Sequence, residues 1–174
     1  MEQVGDDKVR AVPTPYGTVT PYVVVRNAGA FLDFLVAAFG AVERGRVPNP
    51  DGTVGHGEVM IGDSVVMSFE ANEHWPPTPA FLSLYVGDCD AVSRSATAAG
   101  ATVVTPLGTN AWGDRGCRLK DPFGNLWWVQ THVEDVPESE MYTRMASPEH
   151  EELMRVSTET LDGFMRSVRG AGVA

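Results

Sequence analysis

The chain has only two cysteines, Cys89 and Cys117, in 174 residues. They form no CxxC pair and no disulfide framework, which fits a reducing cytosol and makes a cytoplasmic location the expectation. Basic residues are also scarce: 13 Lys and Arg stand against 23 Asp and Glu, for a net charge of −10. That balance opposes binding to nucleic acid or to anionic membrane, since both need a Lys/Arg surplus. No apolar run reaches the ~18 residues of a membrane-spanning helix. The polar, acidic start MEQVGDDKVR lacks the apolar core of a secretory signal. A Gly-rich phosphate loop and a Ser-His-Asp order are missing too. What remains is an ordinary globular composition, 43% hydrophobic and 21% charged, enough for one domain or two very small ones.

Residues 1–17 carry Pro13 and Pro15 and read as a flexible lead-in. The Val-rich run TPYVVVRNA (20–28) predicts a strand buried on both faces. Asn27 can cap a helix over 28–39, with Phe31, Phe34, Leu35 and Ala38 as its apolar stripe and Gly40 as its end. VERGRV, an NPDG turn, and the short strands HGEVMIG and SVVMSFE follow, the last two joined at Gly62-Asp63. Pro76, Pro77 and Pro79 make residues 72–79 a linker, because proline continues neither a helix nor a central strand. The order then recurs: strand AFLSLYVGD, cap Asp88, a helix with Val92, Ala96 and Ala99 ending at Gly100, strand ATVVTP, and a hairpin turning at Asp121–Asn125. Val25/Val86, Gly40/Gly100 and Met67/Trp128 lie 61, 60 and 61 residues apart. One offset held across three elements indicates a duplicated β-α-β-β-β module. The expected organisation is a domain over 18–136, with modules 18–71 and 80–136, and a helical extension over 137–174. In that extension Ser147-Pro148-Glu149 starts a helix. Leu153, Val156, Leu161, Phe164, Met165 and Val168 give it an apolar side through to Gly170. Such a side must pack on the domain, close a pocket or meet a partner chain.

Two such modules resemble the vicinal oxygen chelate superfamily of glyoxalase I, bleomycin-resistance and fosfomycin-resistance proteins and extradiol dioxygenases. The motifs PYVVV, FLDF, PDG, HGEVMIGDS, WGDR, DPFGN and THVED resemble its PhnB-like branch over residues 19–136. The resemblance implies an α+β fold in which eight strands form a curled cup. It also implies a divalent metal held by His, Glu or Gln on the first and last strand of each module. The matching positions here are Thr20, Met67, Phe81 and Trp128. These are not a hard-metal ligand set, so no metal and no cofactor is the expectation. Homodimers are usual in the family, and a homodimer is expected.

Strand alternation then selects the cup-facing side chains. They are Thr20 and Tyr22; Met67 and Phe69; Phe81, Ser83 and Tyr85; Trp128 and Gln130; and His56, Glu58 and Met60. His56 and Glu58, two apart on a strand, point to one side, and the carboxylate could tune the imidazole as a general base. They could equally be a hydrogen-bonded pair that stabilises strand ends. Trp112 and Arg115 stand where they could stack on a ligand and clamp an anion, or anchor a loop. Arg118 reaches the cup if Leu119 is core. His132 reads as structural. Two functions follow from this set. One is metal-independent binding of a hydrophobic, aromatic, possibly cationic antibiotic-like small molecule in an aromatic cup. The other is a lyase, isomerase or natural-product tailoring enzyme using His56 and Glu58 as an acid–base pair, or holding a divalent metal at a non-standard site with a further group of the cup.

Overall fold

The computed structural model describes residues 9–171. The expectations for residues 1–8 of the lead-in and 172–174 of the extension lie outside the described residues. The first module runs β1 (Tyr22–Val25), α1 (Ala28–Phe39), β2 (Val42–Pro48), β3 (Val54–Ile61), β4 (Ser64–Glu70). The second runs β5 (Phe81–Tyr85), α2 (Cys89–Ala98), β6 (Thr102–Thr109), β7 (Asp114–Lys120), β8 (Leu126–His132). Two further helices follow, α3 (Glu138–Met145) and α4 (Pro148–Ala171). Each module builds one four-stranded mixed sheet, ordered β1-β4-β3-β2 and β5-β8-β7-β6. In each, the outer first strand pairs parallel with the last strand and the rest are antiparallel. The α+β fold of two tandem modules plus a C-terminal helix is therefore present. Its two sheets do not close on one another.

Local chemistry sets the helix ends. Asn27 adopts a left-handed φ of 60° and its side chain accepts from the Ala30 N–H. The Glu70 carboxylate takes the N–H groups of Asn27 and Ala28 at 2.7 and 2.9 Å, so β4 also caps α1. Asp88 caps α2 in the expected way, accepting from Ala91 N.

Helices α1 and α2 lie on the outer, convex side of their own sheets and pack against each other. Phe31, Leu32, Leu35, Val59, Leu119, Trp127 and Val129 are all buried in this shared core. Burial stabilises each large side chain by about 1.5–3 kcal/mol. Phe39 meets Trp127 at 4.7 Å between ring centroids, and Phe123 sits edge-on to Phe31 at 5.4 Å. Because the convex sides meet through their helices, the two concave faces point away from each other.

The DPFGN turn ties the second module together. The Asp121 carboxylate accepts from the backbone N–H groups of Phe123 and Asn125, from the Asn125 amide and from the Trp127 indole, at 2.8–2.9 Å. Asn125 in turn accepts from Ala80 N at the end of the linker.

The C-terminal extension holds two helices rather than one. In α4 the residues turned inward are Leu153, Val156, Ser157, Thr160, Leu161 and Phe164, spaced by threes and fours. Met165, expected in that stripe, is instead 46% exposed, because it lies one step round from Phe164. The helix packs on β6 and so covers part of the second concave face. No described helix is long and apolar enough to cross a membrane.

Candidate functional site

The concave face of the first sheet is built in rows across strands. Glu58, Met67 and Tyr22 are register partners, and so are Val24 and Phe69. The opposite face carries Val59 and Val23, which are core. Tyr22, His56 and Glu58 form a continuous hydrogen-bonded chain. The Tyr22 hydroxyl is 2.9 Å from His56 Nδ1, and His56 Nε2 is 2.9 Å from Glu58 Oε1. Tyr16 donates to the same oxygen at 2.7 Å, and the Arg44 guanidinium donates to Oε2 at 2.6 Å. Arg44 also lies over the Tyr16 ring at 5.3 Å. Burial pushes the Glu58 carboxyl up, but the bonds from His56 and Tyr16 and the charge of Arg44 outweigh it and hold the group below its ordinary value. Glu58 is thus an ionised anchor whose lone pairs are largely taken. Beside this polar chain runs an aromatic wall: Tyr22 meets Phe69 at 5.0 Å and Phe69 meets Trp75 at 6.0 Å. Tyr22 and Trp75 remain about half exposed, at 47% and 48%.

The second sheet repeats the rows with other residues. Arg118, Trp128 and Ser83 occupy the places of Glu58, Met67 and Tyr22. Leu119 is fully buried on the core side, which puts Arg118 on the concave side, as alternation requires. Its guanidinium lies over the Trp128 ring at 4.8 Å. Gln130 is buried and donates to Ser83 Oγ. Phe81 and Tyr85 are exposed on the same strand.

At the end of this face Asp114 accepts from the Tyr85 hydroxyl at 2.8 Å, the Trp112 indole at 3.0 Å and His132 Nδ1 at 2.8 Å. Burial raises the Asp114 carboxyl and these bonds lower it further than burial lifts it. His132 also reaches Asp135 at 3.0 Å through Nε2, and the two carboxylates, Asp135 foremost, raise its pKa.

Three sequence expectations are displaced. Thr20 lies before β1 and donates to the Gly17 carbonyl, so it is not on the strand face. Arg115 is on β7 between two concave positions and therefore faces α2, where it forms a bidentate pair with Asp90 at 2.7 and 2.8 Å. The residues placed in one cup divide between two faces: Tyr22, His56, Glu58, Met60, Met67 and Phe69 on the first sheet, Phe81, Ser83, Tyr85, Arg118, Trp128 and Gln130 on the second. Trp112 joins the Asp114 cluster. Tyr16 and Arg44 were missed as site residues, and Trp75 reads in the sequence as a linker residue that is either a rim or simply exposed. Arg44 lies at the irregularity of β2 between Glu43 and Gly45, where strand alternation does not fix the face. Tyr16, between prolines in an apparently featureless lead-in, gives no signal either.

A sequence profile of the glyoxalase/bleomycin resistance protein/dioxygenase superfamily matches residues 17–129. The chain belongs to this superfamily. Its curated relatives include the "Uncharacterized protein Rv0887c" of Mycobacterium tuberculosis, 39% identical over 140 residues, covering 74% of this chain and 82% of the relative. A relative from Mycobacterium bovis, "Uncharacterized protein Mb0911c", has the same identity and is covered to 92% of its length. Among solved structures, TioX from Micromonospora sp. ML1 superposes with a TM-score of 0.58 at 28% identity, over 67% of this chain and all 100% of that one. The fosfomycin resistance protein FosX of Listeria monocytogenes shares the fold, with a TM-score of 0.54 at 15% identity over 72% and 97% of the two chains.

The metal that the superfamily fold implies can be tested against the donors at its usual positions. Thr20, Met67, Phe81 and Trp128 offer a hydroxyl, a thioether, a phenyl ring and an indole. This is no hard-cation set. Nor do three or more His, Cys, Asp or Glu side chains converge as a metal site among the described residues. The residues present do not fit a divalent metal.

Proposed function

We propose that the protein is a metal-independent small-molecule-binding member of the superfamily, of its PhnB-like branch, acting in the cytoplasm as a homodimer. It holds a flat, aromatic, antibiotic-like compound against the first concave face. The observation that carries this reading is the half-exposed wall of Tyr22, Phe69 and Trp75 beside Met67. Stacking and thioether contacts there supply area and orientation without a metal. Glu58, already paired with Arg44, adds hydrogen-bonding polarity rather than a free charge. Attraction of a cationic compound rests instead on the net charge of −10. That a fosfomycin resistance protein shares the fold is consistent with antibiotic chemistry for this chain.

One observation favours a second reading, a lyase, isomerase or tailoring activity. His56 is held between a phenol and an ionised, buttressed carboxylate, an arrangement that orients an imidazole as a general base. A substrate displacing the Tyr22 hydroxyl would meet Nδ1. One experiment addresses both. Cationic and neutral aromatic antibiotics are titrated into chelator-treated protein, with tryptophan quenching as the readout, and the ligand is then recovered for mass spectrometry. Saturable quenching that weakens about tenfold or more in Tyr22→Ala, with ligand recovered unchanged, is the expected result. Chemically altered ligand, with conversion lost in His56→Gln, establishes the enzyme instead. No saturable quenching by any probe sinks the binding reading.

A further inference from the structure

Arg118 is the most unusual charge in the molecule. It is 8% exposed, and no carboxylate of the described residues pairs with it. Its Nη1 donates to Ser157 Oγ at 2.8 Å, to the Ser157 carbonyl at 2.9 Å and to Thr105 Oγ1 at 3.2 Å. Its Nε is buried with no partner, and Nη2 makes no hydrogen bond to the described residues. The free edge, Nε with Nη2, is the fork that takes a carboxylate through two parallel hydrogen bonds.

The repeat gives Arg118 a counterpart in the first module. Arg118 faces Trp128 and Thr105 across its strands as Glu58 faces Met67 and Gly45. In the first module the partly buried charge has its opposite in Arg44. In the second, neutral oxygens from α4 and β6 take that role. A fully buried charge persists at a cost unless something ionic completes it.

What covers Arg118 is α4. Leu153 packs where Gly108 leaves no side chain, Ser157 sits on the guanidinium, and Thr160 meets Thr105 at 2.8 Å between hydroxyls. Of its described side chains only Phe164 is buried, at 9% exposure. The space left between helix and sheet, about 20 Å³, admits no organic ligand.

We propose that Arg118, Trp128 and Thr105 form a binding site for an aromatic carboxylate and that α4 is its displaceable roof, Ser157 holding Nη1 and the helix covering the free edge when the site is closed. The aromatic body lies beside the stacked Trp128–Arg118 pair and the carboxylate takes the free Nε–Nη2 edge. Seating the helix and seating the ligand exclude each other. The inference rests on the reading of the chain as a small-molecule binder but is carried by Arg118, Trp128 and Thr105, none of which belongs to the first-sheet site.

The test is calorimetric titration of the full chain with 1-naphthoate and its neutral counterpart 1-naphthamide. Naphthoate should bind at least about tenfold more tightly than the amide. Phe164→Ala, which loosens α4 at a distance from Arg118, should tighten naphthoate by about three- to tenfold, because less of the protein is in the closed state. Arg118→Met should bring naphthoate down to the level of the amide while the thermal midpoint stays or rises, since an unpaired buried charge has been removed. A disulfide in Thr105→Cys/Thr160→Cys should abolish binding, and reduction should restore it. The native Cys89 and Cys117 are buried and free, which leaves the new pair to close alone. Equal binding of acid and amide, unchanged binding in Arg118→Met, or equal binding by the oxidised and reduced double variant each overturns the proposal. So does an absence of naphthoate binding in Phe164→Ala. Naphthoate binding that is lost in Tyr22→Ala but kept in Arg118→Met belongs to the first-sheet site and overturns this proposal; binding lost in Arg118→Met with antibiotic quenching at the first sheet kept belongs to the second.

Discussion

At the scale of single residues, the same strand position does opposite things in the two modules. Glu58 collects three donors and stays ionised, whereas Arg118 keeps a free edge. The Glu58 cluster has a consequence for stability. Its carboxyl is held below its ordinary value of 4.5 in the folded chain. A group with a depressed folded pKa contributes stability above its unfolded pKa, and that contribution drains away as the pH falls through the folded value. Glu58→Gln should therefore be less stable than the parent at neutral pH. Its loss of stability should also be shallower as the pH falls from about 5 to about 3. Urea unfolding at a series of pH values reads this directly. Two parallel curves across that window would show that the cluster's charge is not linked to folding. The alternation that places His56 and Glu58 on one face was legible from HGEVMIG, because a period of two needs only the sequence. The partners Tyr16 and Arg44 were not, since contacts across 42 and 14 residues are made by tertiary folding.

Elements show a similar division. Strand and helix order, the capping of α1 and α2, and the Asp121 turn all follow from local chemistry and were readable. Arg115 was misplaced because WGDR reads as a loop before the strand, whereas β7 already begins at Asp114, so alternation from the core residue Leu119 turns Arg115 to the helix side. The roof formed by α4 was open in the sequence among three outcomes, because an amphipathic stripe says that something is covered without saying what. The DPFGN turn gives the sharpest test at this scale. Asp121→Ala leaves two backbone N–H groups, an amide and an indole without their shared acceptor. Burial raises the Asp121 pKa despite these bonds, so the net worth is less than four independent hydrogen bonds. A loss of about 3 kcal/mol is expected, or roughly 6–12 °C in Tm. Because Asn125 also holds Ala80 at the end of the linker, the start of β5 should lose hydrogen-exchange protection before the first module does. A midpoint unchanged within about 1 °C would mean that the turn holds its shape without the carboxylate.

At the scale of the whole molecule, duplication has produced two concave faces that turn outward, joined back to back through α1 and α2. Neither face is closed by the other. Each sheet also ends in a free strand edge, β1 in one and β5 in the other. Exposed Tyr22, Phe81 and Tyr85 lie on these two strands. Free edges lined with aromatic residues are what proteins cover, by another element or by another chain. A twofold pairing would bring β1 of one copy toward β5 of its partner and give each first-sheet site a second wall, since an isologous contact uses both patches at once. Light scattering at micromolar protein should then give twice the chain mass of 18.7 kDa. Phe81→Glu/Tyr85→Lys should give the single mass with the circular dichroism of the parent. Ligand quenching at Trp75 should weaken in that monomer even though Tyr22, Phe69 and Met67 are intact, because the missing wall belongs to the second copy. A parent that runs as a monomer and still binds its aromatic ligand at full strength would instead mean that one open sheet suffices, with the half-exposed wall of Tyr22, Phe69 and Trp75 as the whole of the site.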